Sequence, residues 1–169
     1  MDRGDIAAEL DQTAVDFRTL LDNATTAALR APSNGTRWTN EQLLFHMLFG
    51  YLLTRNLLYL VHAFARLPDG ASRRFATALN AATRPFHRIN YAGSLGGARV
   101  LGYHRMERTF QRTTTALEHR LAGESDTALQ RGMHFPTGWD PYFQDYMTIL
   151  DVYHYPTQHY RHHRAQLTL

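Results

Sequence analysis

An all-α bundle of four main helices is the fold class this sequence predicts, on three observations. Apolar residues recur with the 3.6-residue period of a helix over several long stretches. Compact turn signals, Ala31-Pro32-Ser33-Asn34-Gly35 and Leu67-Pro68-Asp69-Gly70, separate those stretches. No segment shows the alternation of a strand, and no internal repeat or low-complexity tract interrupts the chain. With 169 residues and 44% hydrophobic content, residues 1–169 are read as one domain with a sizeable core.

Each element follows from its own pattern. Ile6, Leu10, Phe17, Leu20, Leu21 and Leu29 predict a first helix over roughly residues 5–30. In the second, about 40–66, Thr39 followed three residues later by Gln42 reads as an N-cap with a capping box. A third stretch starts near Ser72, is divided or kinked at Pro85 and stops at the glycine-rich Ala92-Gly93-Ser94-Leu95-Gly96-Gly97. Helix four spans about 98–122. An irregular segment, 123–140, then leads into a terminal helix from Pro141, with Asp140 as its cap.

The terminal helix carries the chemistry. His159 and His163 stand one turn apart, about 40° around the axis and about 6 Å along it, so both rings can reach one point. Their face continues back through Pro156, Val152 and Ile149, an apolar row that turns the imidazoles toward the core. Buried imidazoles need partners for their nitrogens, and a divalent metal satisfies neutral His. His46, two turns into the second helix, lies on its inward stripe with Leu43, Met47, Gly50, Leu53 and Leu57. If the two helices are antiparallel neighbours, His46, His159 and His163 share one level of the bundle. Three imidazoles suit zinc, nickel, iron or copper, and sequence does not distinguish them.

Trp38-Thr39-Asn40-Glu41-Gln42-Leu43-Leu44-Phe45-His46 and the terminal His159-Tyr160-Arg161-His162-His163-Arg164-Ala165-Gln166-Leu167 together resemble the DinB/YfiT-like superfamily, over nearly the full length. That superfamily of metal-binding helical bundles includes bacillithiol- and mycothiol-dependent S-transferases and a maleylpyruvate isomerase. The resemblance implies a DinB/YfiT-type four-helix bundle with an added short helical or loop segment. It also implies a divalent metal on His46, His159 and His163.

Composition narrows the function. Cysteine is absent, so disulfides, thiolate ligands and a Cys nucleophile are excluded, and any thiol chemistry must use an external thiol. All 18 basic residues are Arg, a bias expected of GC-rich coding; in an actinobacterium the available thiol would be mycothiol. The formal charge of +3 is spread among 15 acids, which argues against nucleic-acid binding. The polar start Met1-Asp2-Arg3-Gly4-Asp5 has no signal-type stretch and no membrane-spanning run follows, so a cytoplasmic protein without membrane contact is expected. Neither the E-x-x-H of di-iron bundles nor the H-E-x-x-H of zincins occurs.

The remaining signals read more plainly. His162 points about 100° away from His163 and off the apolar row, so it is assigned with His154, His104 and His87 to ordinary or supporting roles. Arg105, Arg108 and Arg112 share a face that could clamp a carboxylate, but the expectation is a solvated row. Phe135 and Trp139 are expected to cover a bundle end away from the metal, with a loop folded back toward the metal or a dimer interface as the functional alternatives. The leading reading is a metal-dependent thiol S-transferase, of the mycothiol-using type, acting on a small electrophile. The alternatives are a metal-dependent hydrolase, whose general base is not legible, and a non-catalytic metal-binding or homodimeric stress-response protein.

Overall fold

The computed structural model describes residues 2–169. Its helices are α1 (Arg3–Asn23), α2 (Thr26–Arg30), α3 (Asn40–Phe64), α4 (Asp69–Ala81), α5 (Thr83–Leu101), α6 (Tyr103–Gly123), α7 (Asp126–Leu129) and α8 (Ile149–Arg164). A short antiparallel pair, β1 (Gly132–His134) and β2 (Tyr146–Thr148), precedes α8 in register Gly132↔Thr148. The fold is all-α apart from that ribbon. Long helices α1, α3, α6 and α8 pack into a four-helix core, and α4 and α5 lie along α3.

The predicted faces supply that core. Ile6, Leu10, Phe17 and Leu20 of α1 are buried with Leu43, Met47 and Tyr51 of α3, Phe110 and Leu117 of α6, and Ile149 and Val152 of α8. Farther along α3 the stripe rotates: Thr54, Leu58 and Val61 are fully buried, while Leu53 and Leu57 are only partly so. By length and apolar content α3 could cross a membrane, with a mean hydropathy of 1.3 over its best window. Half of that window is buried within the bundle, as a core helix requires.

Three element boundaries differ from expectation. The first helix breaks at Ala24, and Thr25 caps α2 through its hydroxyl, which accepts from the Ala28 N–H. The glycine-rich run is helical, part of α5. Gly97 lets Phe45 of α3 lie against the α5 backbone, where a Cβ would stand 2.0 Å from the ring. Tertiary packing outweighs the roughly 1 kcal/mol propensity cost of each glycine. The chain turns instead at Gly102, whose φ of 65° is the left-handed region that favours glycine. The expected division near Pro85 is present: α4 ends at Ala81 and α5 starts at Thr83, which places Pro85 in a first turn, where its missing N–H costs no helical bond.

The third difference matters most. The terminal helix starts at Ile149, not Pro141. Thr148 is its cap, in a reciprocal box with Asp151. Residues 135–145 form a loop that returns along the molecule, and its Phe135 N–H donates to the Asp145 carbonyl. Beside it, buried His134 lies 3.2 Å from both Asp69 of α4 and Asp145, joining the ribbon to α4.

Candidate metal centre

His46 is buried on α3 and His159 on α8, with His163 one turn beyond it and partly buried. Their nearest ring nitrogens all lie within 4.8 Å of one another. The Nε2 atoms of His46 and His159 are 3.1 Å apart, a separation suited to two ligands of one ion. This convergence is the one the helical spacing predicted. His162 is exposed, edge-on to Tyr142, and takes no part.

The remaining ring nitrogens have their own environments. Ser94 of α5 donates its hydroxyl proton to the Asn90 carbonyl, so its oxygen is free to accept from Nδ1–H of His46 at 3.2 Å. Nδ1–H of His163 donates to Oε1 of Gln166 at 2.7 Å. Both contacts select the tautomer that leaves an Nε2 lone pair for a metal. Nδ1 of His159 is buried without a partner, beside Gly50, where a Cβ would come within 2.8 Å of it. Gly50 is thus the space the His159 ring occupies.

Electrostatics favours neutral rings. Burial, reinforced by His163, holds the His46 imidazole down at about 3. Burial likewise lowers His163 to about 4, against a raising contribution from Gln166. His159 is driven well below the ordinary range, by burial first and then by its two neighbours. Neutral imidazoles packed lone pair to lone pair are short of a cation, so a divalent ion fits this donor set.

The matching family model, DinB superfamily, covers residues 9–167. The chain belongs to the DinB superfamily. No curated protein and no solved structure matches it.

Around the DinB histidines lies a chamber of about 20 Å³, room for one water, lined by Phe49, Gly50, Phe86, Trp139, Asp140 and Phe143 among others. The placement of Trp139 here corrects the expectation that the loop sits at a remote bundle end. Were residues 141–148 helical, Asp140 would stand roughly 28 Å along the axis from His159. Instead the loop doubles back and brings Asp140 Oδ2 to 3.8 Å from His159 Nε2. Trp139 is pinned by Nε1–H to the Leu79 carbonyl and by a 3.9 Å stack on Phe86. Asp140 accepts from Tyr155 OH at 3.0 Å and from the Tyr142 N–H at 2.9 Å. Burial raises the Asp140 carboxyl, partly offset by those donors, and burial keeps Tyr155 protonated.

Other sequence candidates resolve simply. Arg105, Arg108 and Arg112 are exposed, a solvated face as expected. His154 pairs with Glu9 at 2.8 Å, tying α8 to α1. Asp140, Tyr155, Ser94 and Gly50 were not legible as site residues. Gln166, three residues after His163, could have been found by helical spacing.

Proposed function

We propose that this DinB-superfamily chain is a divalent-metal-dependent thiol S-transferase, using a small thiol of the mycothiol type against a small electrophile. The observation that carries the reading is the convergence of three neutral imidazoles with a carboxylate, Asp140, 3.8 Å from one of them. His46, His159 and His163 would hold the ion. When bound, it lowers the pKa of a coordinated thiol and so supplies thiolate at neutral pH.

This chain's own groups do the rest. Asp140 Oδ2, oriented by Tyr155 OH, receives the proton that leaves sulfur. The sulfur lone pair forms the new C–S bond while the leaving group departs with the electron pair of the broken bond. Phe49, Phe86, Trp139 and Phe143 exclude bulk water and so strengthen each polar contact inside. Because the chain has no cysteine, the nucleophilic sulfur comes from outside.

A second reading, hydrolysis, is favoured by one observation: the chamber has the volume of a single water next to the Asp140 acceptor. The deciding assay supplies metal-loaded protein with mycothiol and a haloaromatic electrophile, beside His46→Ala. Thiol loss matched by conjugate formation in the wild type alone is expected. Equal rates in both proteins remove the metal from the mechanism, and turnover of an ester without thiol assigns the site to hydrolysis.

A further inference from the structure

A second hollow, about 290 Å³, is lined by Arg37, Trp38, His87, Asn90 and Tyr91 among others. Two residues, Asn90 and Trp38, relate it to the histidine cluster. Asn90 lines both this hollow and the chamber beside His159. Trp38 stacks on the His46 ring at 4.5 Å and faces Tyr91 at 5.9 Å.

The chemistry of the lining is one-sided. The Arg37 guanidinium lies 4.2 Å over the Tyr91 ring and makes no ion pair among the described residues. The buried indole Nε1 of Trp38 has no hydrogen-bond partner. Neither the Asn90 carboxamide nor the His87 ring is hydrogen-bonded within the described chain, whose side-chain bonds at this place run only through Thr36 and Ser94. No Asp or Glu lines the hollow. An unpaired guanidinium beside flat aromatic walls, with no carboxylate in the lining, defines a receptor for a planar group with acceptor oxygens.

We propose that this hollow anchors a small organic carboxylate, held by Arg37 and Asn90 and flanked by Trp38 and Tyr91, with its far end directed past Asn90 to the metal centre. The anchor rests on the transferase reading only for the purpose of that orientation. It assigns the electrophile to the class of anionic, planar carboxylic acids.

Isothermal titration of metal-loaded protein with benzoate, benzamide and inorganic phosphate tests it. Saturable binding of benzoate is expected, at least tenfold tighter than its neutral isostere benzamide. Arg37→Gln should weaken benzoate at least tenfold while metal content and melting temperature stay unchanged. His46→Ala, which lacks the metal, should still bind benzoate, so failure of metal loading and failure of the anchor are read separately. Equal affinity for benzoate and benzamide, no effect of Arg37→Gln, or no benzoate binding overturns the proposal. Binding of phosphate alone overturns it in favour of a phosphoryl ligand.

Discussion

At the scale of single residues, the site depends on which face of α8 a histidine occupies and on what stands behind each ring. His159→Ala should abolish metal binding, whereas His162→Ala should leave the metal content near that of the wild type, as measured by elemental analysis after dialysis. Their neighbouring positions differ in direction: one ring is buried over the apolar row and the other is in solvent. Gly50→Ala is a sharper probe, because the new methyl would come within 2.8 Å of His159 Nδ1. With the ring displaced, metal affinity should drop about 10- to 100-fold, the range seen when support of a ligand is disturbed. A zinc titration with unchanged affinity would show that the ring has room to retreat.

At the scale of elements, the loop 135–145 is the part that lines the histidine cluster with Trp139, Asp140 and Phe143. Trp139→Ala removes the stack on Phe86 and the bond to the Leu79 carbonyl, so the lid loses both fixings. We expect a cost of about 2 kcal/mol in urea unfolding, with full metal occupancy retained. Loss of metal in that variant would mean that the loop supports the ligands and does not merely cover them. At the start of α8, Thr148→Ala removes the cap that sets where the helix begins, at about 1 kcal/mol.

For the whole molecule, the histidines connect α3 to α8, two of the four core helices, so the metal should act as a staple as well as a reagent. Chelation should lower the melting temperature, and added zinc should raise it in a concentration-dependent way. The metal-free protein should also be acid-sensitive. An unfolded His titrates near 6.5, while folded His46 and His163 are held at about 3 and about 4. Below pH 6.5 the unfolded chain therefore binds more protons, and stability falls as pH falls. His46 alone would account for a loss on the order of 2 kcal/mol by pH 5. Urea midpoints at pH 7.5, 6.5 and 5 check this, and His46→Leu should flatten the slope; a steady midpoint would show that the rings are charged in the fold.

Local pattern was sufficient for some of this protein. Helical period and capping located α3, and the i, i+4 spacing of His159 and His163 with the inward face of His46 picked out the three histidines that converge, because both depend on geometry within one helix. The tertiary structure decided what depends on distant neighbours. The stretch around Gly97 stays helical because Phe45 packs on it, and that helix carries Ser94 to His46 and Asn90 to the chamber. Asp140 reaches His159 because extended chain covers about 3.3 Å per residue, enough for residues 141–148 to run back past the start of α8. The candidate histidines could be read from the sequence because their spacing is local, whereas the chamber and its carboxylate arise from contacts between segments that no local period encodes.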